Sequence, residues 1–130
     1  MENTGTSGGL LIDTGLLGFA NSDTEACNRR NGSRINHVHC KDIRQGIFKQ
    51  VREKDLSVLD AVLEGVFKVP GDGFIDFENF AKVLAEIDYS GWVVVEAEQD
   101  PEKANPLEYS RMGYQHLSNV LHEAGLEISS

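Results

Sequence analysis

Apolar residues recur along this chain with two periods that take turns. The run Leu10-Leu11-Ile12, led by Gly, Ser and Thr and closed by Asp13-Thr14-Gly15, predicts a short buried strand ending in a turn. Ser22 or Asp23 is placed to cap a helix reaching about Arg30, and Asn31-Gly32-Ser33 then turns into a second strand over 35–40. From Asp42 the spacing becomes helical: Ile43, Ile47 and Val51 share one face, and Leu56, Leu59, Leu63 and Phe67 share another, which predicts two helices. Pro70-Gly71-Asp72-Gly73 is a turn cluster, and Asp76 caps a helix carrying Phe77, Phe80, Leu84 and Ile87, ending near Ser90-Gly91. The valine-rich stretch 92–97 has the near-continuous apolar pattern of a strand covered on both faces. Beyond Pro101 and Pro106, Leu107, Tyr114, Leu117, Leu121 and Ala124 mark a last amphipathic helix stopped at Gly125.

Strand, helix, strand, helices, strand, helix is the alternation of an α/β fold around a parallel sheet with right-handed crossovers. An eight-unit barrel of this kind uses about 250 residues, roughly 31 per unit, and this chain supplies three units, one of them enlarged. Three parallel strands leave two open edges and an uncovered face, so the remainder of the sheet is expected before Met1. Residues 1–8, rich in Gly, Ser and Thr, are expected to be poorly ordered.

Composition narrows the class without changing this picture. With 130 residues, 40% hydrophobic and 25% charged, the chain falls in the ordinary globular range. No apolar run approaches the roughly 18 residues of a membrane helix, and the start lacks a basic segment followed by an apolar core, which makes the cytoplasm the expected location. A formal net charge of -9 opposes binding to nucleic acid or an anionic membrane. Cys27 and Cys40 lack CxxC spacing and read as reduced thiols.

Alternation along the strands gathers the chemistry. Asp13 shares a side with Leu11, His39 with His37, and Glu96 with Val94, so each strand presents one polar residue at its C-terminal end. Parallel α/β sheets build their sites at that end, where Asp13, His39 and Glu96 would converge as a hard divalent-metal site suited to Mn²⁺, Mg²⁺ or Co²⁺. Each also has a plainer reading: Asp13 as a side-chain turn, and His39 as a hydrogen-bonded core histidine. Glu96, closing a buried strand, must be paired, protonated or metal-bound. Lys41 has the parity of His39 and would hold a substrate oxygen or sit solvated at the surface; Arg44 is a substrate clamp or an exposed first-turn residue. Glu98 shares the parity of Glu96 and is an alternative ligand. Asp72-Gly73-Phe74-Ile75-Asp76 echoes half of a calcium loop. Gly73 at the sixth position, however, puts Lys68 at the first, Pro70 at the third and Asn79 at the twelfth, so a Gly-rich turn with an Asp-capped helix is the better reading.

The stretches Leu10-Leu11-Ile12-Asp13-Thr14-Gly15, His37-Val38-His39-Cys40-Lys41-Asp42-Ile43-Arg44 and Gly91-Trp92-Val93-Val94-Val95-Glu96-Ala97-Glu98-Gln99-Asp100-Pro101 carry a resemblance. Together with Val62-Leu63-Glu64-Gly65-Val66-Phe67 and Val69-Pro70-Gly71-Asp72-Gly73, they make the chain similar to the inosose dehydratase family of xylose-isomerase-like TIM barrels, from about Leu10 to Leu121. The resemblance implies the C-terminal three β/α units of a (β/α)8 barrel, spanning 1–130, with strands near 10–13, 35–40 and 92–97. It implies an enzyme of inositol catabolism that removes water from 2-keto-myo-inositol to give a cyclic dione, assisted by Mn²⁺ or Co²⁺, with Mg²⁺ a further option. Asp13, His39 and Glu96 then match three of four metal-ligand positions; the fourth, a glutamate on an earlier strand, has no counterpart here. Glu96 and Lys41 are implied as catalytic residues, and Arg44, His37 and Glu98 as contacts for a polyhydroxylated cyclic ketone or sugar. Leu16 departs from the pattern, because relatives commonly carry histidine directly after Asp-Thr-Gly. Sugar isomerisation or epimerisation on the same scaffold, and a non-catalytic product that is either a decayed remnant or a partner-binding piece, are the competing expectations, and self-association through the open strand edges is a further one.

Overall fold

The computed structural model describes residues 5 and 7–129. The expectation for residues 1–8 therefore falls, at 1–4 and 6, outside the described residues. β1 (Leu10–Asp13) passes through α1 (Thr14–Phe19) and α2 (Thr24–Asn31) to β2 (Ile35–Cys40). An excursion of β3 (Asp42–Ile43), α3 (Gln45–Glu53), α4 (Val58–Leu63) and β4 (Phe67–Lys68) precedes α5 (Phe77–Glu86), β5 (Trp92–Val95) and α6 (Pro106–Glu123). β1, β2 and β5 form one parallel sheet in the order β1-β2-β5, in a register that aligns Asp13 with His39 and His39 with Val94.

Alternation gives the sheet two unlike faces. Ile12, Val38 and Cys40 point to one side and are buried against Phe77, Phe80, Ala81 and Leu84 of α5 and Leu117, Val120 and Leu121 of α6, with Val93 and Val95 packed alongside. Burying each such aliphatic or aromatic side chain contributes about 1.5–3 kcal/mol, so this layer is the main apolar reason the three strands and two helices stay together. The other face carries Leu11, Asp13, His37, His39, Trp92 and Val94, and both Leu11 and Trp92 are exposed.

Close approach of α6 to the sheet requires a residue without a side chain. A Cβ on Gly113 would lie 2.8 Å from Val95 Cγ1, 3.0 Å from Val69 Cβ and 3.2 Å from Pro70 Cδ. Gly113→Ala is expected to push α6 outward and cost about 2 kcal/mol, typical of overpacking, read as a lower urea midpoint with an unchanged slope. An unchanged midpoint would mean that α6 is not seated as described.

Several boundaries differ from the sequence expectation, each for a physical reason. Ile43 and Phe67, expected on helices, instead pair in the antiparallel ribbon β3–β4 and form a second apolar cluster with Val51, Ala61 and Val66. Leu59, Leu63, Leu107 and Tyr114 were spaced as core positions but are exposed. The strand over 92–97 ends at Val95 and is an edge, not a strand covered on both sides, with Trp92 75% exposed. α5 ends at Glu86, ahead of Ser90-Gly91, where Asp88 takes a left-handed conformation. The segment after β1 is a short helix capped by Asp13 rather than a plain turn. No helix among the described residues is long and apolar enough to cross a membrane.

Candidate metal and substrate site

Asp13 is both the last residue of β1 and the N-cap of α1. Its Oδ1 accepts the Leu16 N–H at 2.9 Å, which satisfies one of the orphan donors of a helix start and fixes the plane of the carboxylate. Its Oδ2 is left 3.2 Å from Lys41 Nζ. One oxygen of Asp13 thus serves the helix start, and the other faces Lys41.

His39 stands beside Asp13 in the ladder, and its Nδ1 lies 2.9 Å from Glu96 Oε2. Glu96 follows β5 directly, and its N–H donates to Cys40 O at 2.9 Å, so the pairing outlasts the strand by one residue and keeps Glu96 on the side that alternation dictates. Glu96 Oε2 is shielded from solvent and has no hydrogen bond of acceptable geometry; its neighbours are the imidazole and, at 3.6 Å, Lys41 Nζ. Asp13, His39 and Glu96 each offer a ligand atom, all within 4.8 Å of one another. Two carboxylates, one of them with a buried oxygen that has no hydrogen bond, and one imidazole fit a hard or borderline divalent cation.

Lys41 is among the largest fully buried side chains described. Its side chain is 2% exposed, and its ammonium lies 3.2 Å from Asp13, 3.6 Å from Glu96 and 3.4 Å from Glu98. The Phe67 ring sits 4.9 Å from it. Burial by itself would pull the Lys41 pKa down, but the carboxylates of Asp13, Glu96 and Glu98 outweigh it and hold the pKa above the ordinary lysine value. Lys41 is therefore enclosed by carboxylates rather than solvated at the surface. A Cβ at Gly15 would run into Cγ and Cδ of Lys41, so glycine there leaves the passage the lysine stem occupies.

Asp42 was not singled out by sequence reasoning, although it stands next to Lys41. Its fully buried carboxylate accepts four backbone N–H groups: Ile43 at 2.8 Å and Ile75 at 2.9 Å on Oδ1, and Gly71 at 3.1 Å and Gly73 at 3.0 Å on Oδ2. Burial pushes this carboxyl above its ordinary value, against the pull of those amides. The Gly-rich turn thus wraps an internal aspartate rather than an ion: Asp72 pairs with Lys68 at 2.9 Å, and Asp76 caps α5 through Asn79 N–H at 2.9 Å. An Asp two residues past the end of β2 and a Gly-x-Gly some thirty residues on was the available signal.

The remaining candidates divide. Glu98 joins the cluster through Lys41 and borders an open hollow of about 410 Å³ lined by Val62, Leu63, Ala97, Gln99 and Asp100. His37 lies edge-on to His39 with ring centres 5.2 Å apart, aligned with Leu11 and Trp92. Arg44 is exposed at the N-cap of α3 and lines a different hollow with Gly65, Lys68 and Lys103. Leu16 is exposed, its N–H taken by Asp13.

Residues 6–129 match the xylose isomerase-like TIM barrel family. The rhizopine catabolism protein MocC of Rhizobium meliloti is 49% identical across the whole of this chain and 40% of its own length. Inosose dehydratase of Clostridium tetani is 54% identical over 78% of this chain and 34% of its own length, and that of Mesomycoplasma hyopneumoniae 45% identical over 86% and 38%. The chain thus spans well under half the length of these curated relatives.

Proposed function

The chain belongs to the xylose isomerase-like TIM barrel family, and from that premise we propose that it supplies the C-terminal three β/α units, residues 1–130, of a barrel that dehydrates 2-keto-myo-inositol or a closely related cyclitol ketone with a divalent cation, Mn²⁺ or Co²⁺, and Mg²⁺ as a third choice. The observation that carries this reading is the charge at the strand ends. Three carboxylates face one ammonium there, leaving two formal negative charges that a single divalent cation would balance. The names of the relatives, inosose dehydratase and a rhizopine catabolism protein, supply the substrate class. The exposed face bearing Leu11 and Trp92 would be covered by the other strands of that barrel, which would also bring the fourth ligand. The isolated chain is therefore proposed to be impaired.

Asp13, His39 and Glu96 would hold the cation, which, when bound, makes the proton beside a ketone more acidic and stabilises negative charge on the ketone oxygen. Elimination breaks one C–H and one C–O bond and forms a C=C bond. Glu96, with a buried oxygen lacking a hydrogen bond, is the group to take the proton from carbon and return it to the departing hydroxyl, which leaves as water. The resulting enol becomes the dione. Lys41, whose ammonium reaches Asp13, Glu96 and Glu98, is placed to hold an oxygen that becomes negative. Glu98, His37 and Arg44 are proposed to contact the hydroxyls.

The test is dehydration of 2-keto-myo-inositol by the full-length protein, followed beside ketohexoses; turnover of ketohexoses alone would replace the dehydratase reading with isomerisation. Mn²⁺ at a hundredfold its Kd should raise stability by about 2.7 kcal/mol, as binding to the folded state alone requires. Glu96→Gln should abolish most of that rise in a thermal melt. An equal rise in both proteins would remove Glu96 from the ligand set.

A further inference from the structure

Thr14 is not used by the chemistry above, yet its hydroxyl is fully committed. It donates to Lys41 O at 2.8 Å and accepts the Lys41 N–H at 3.1 Å, and the residue is 1% exposed. The reason lies in the sheet: β1 stops at Asp13, where the chain turns into α1, while β2 runs on to Cys40 and the chain continues to Lys41. The Lys41 peptide has therefore outrun its backbone partner on that side, and buried amide groups without partners are costly. One hydroxyl, donor and acceptor at once, replaces the missing strand residue.

We infer that Thr14 is a positioning residue for Lys41: its hydroxyl extends the β1–β2 ladder by one step and so fixes the backbone from which the ammonium reaches Asp13, Glu96 and Glu98. The three letters after Ile12 then divide one task. Asp13 receives the ammonium, Gly15 leaves the passage for the stem, and Thr14 pins the main chain between them. Its effect on turnover rests on the dehydratase reading; its effect on where Lys41 sits does not.

The experiment therefore has two arms, both on the full-length protein. Reductive methylation of lysines with formaldehyde and a borane, read by peptide mass spectrometry, reports access to Lys41 Nζ without any catalysis. Thr14→Val keeps the shape and removes the hydroxyl, and should raise Lys41 methylation severalfold while leaving that of Lys49 and Lys82 unchanged; Thr14→Ser should restore protection. In the kinetic arm Thr14→Val should lower kcat about tenfold with little change in KM, less than the roughly hundredfold that a 1 Å misplacement can cost. In the Lys41→Met background the same substitution should lower kcat no further, since the two act as one unit. Unchanged Lys41 methylation in folded Thr14→Val, or an equal kcat loss in the Lys41→Met background, would overturn the inference. Thr14→Ala carries the same comparisons if the valine variant does not fold. A wild-type protein that leaves the ketone untouched would sink the dehydratase reading, and the methylation arm alone would then decide the role of Thr14.

Discussion

Asp42→Asn is expected to cost about 4 kcal/mol, a large part of the 5–15 kcal/mol that holds a typical domain together. Asparagine keeps one oxygen and turns an amide NH₂ toward the other pair of donors. Either Ile43 and Ile75 or Gly71 and Gly73 then lose their acceptor and face a like group. Each buried N–H left without a partner costs about 1–3 kcal/mol. The damage would spread along the chain, because Asp42 fastens the segment that delivers Asp76 to the start of α5, and α5 brings Phe77, Phe80 and Leu84 to the sheet. Nor can the turn move inward to compensate, since a side chain at Gly73 would collide with Asp42 Oδ1 and Ile43 O. Urea denaturation should show the midpoint falling sharply. A midpoint within a few tenths of a kcal/mol of wild type would mean that the four bonds do not organise this turn.

Lys41→Met is expected to damage chemistry and stability together. Methionine follows the same unbranched path past Gly15 and the Phe67 ring, so packing is largely kept while the charge is lost. Asp13, Glu96 and Glu98 would then confront one another without the cation that joins them. Removing one member of a buried pair costs about 3–5 kcal/mol; with Glu96 and Glu98 partly open to water, about 3 is the expectation. Turnover by the full-length protein should fall roughly a hundred- to a thousandfold, the scale for losing a preorganised charge beside a reacting oxygen. The two losses separate in saturating Mn²⁺, which relieves the repulsion but cannot restore the ammonium, so stability should partly return and kcat should not. Near-normal kcat in Lys41→Met would remove the lysine from the mechanism.

The parts legible in the sequence were those governed by local pattern. The three strands follow from apolar runs between turn signals and their parallel pairing from alternation with helices, while the shared side of Asp13, His39 and Glu96 follows from the two-residue period of a strand. Within 42–67 the two expected helices form as α3 and α4, but Ile43 and Phe67 fall outside them: they sit at spacings a helix would also produce, and what places them in a ribbon is long-range. Val66 O accepts the Arg44 N–H, and Asp42 gathers amides from a turn thirty residues away. Trp92 shows the opposite limit. Its apolar neighbours describe a strand made to be covered, but a pattern of residues does not say which atoms do the covering. The Lys41 cage was half visible: parity put the ammonium near the site, whereas its burial depends on Gly15 and Thr14, residues that look like an ordinary turn.

Because the two sides of the sheet do different work, adjacent letters of β2 answer to different pressures. His37 and His39 face the open side, while Val38 and Cys40 are sealed against α5 and α6. Drift at Val38 is constrained by volume and tolerates apolar residues of similar size; drift at His39 is constrained instead by the polar contact its ring makes with Glu96. Changing every second residue of a strand would therefore alter the chemistry offered on the open side, leaving the helices on the far side with nothing to relearn.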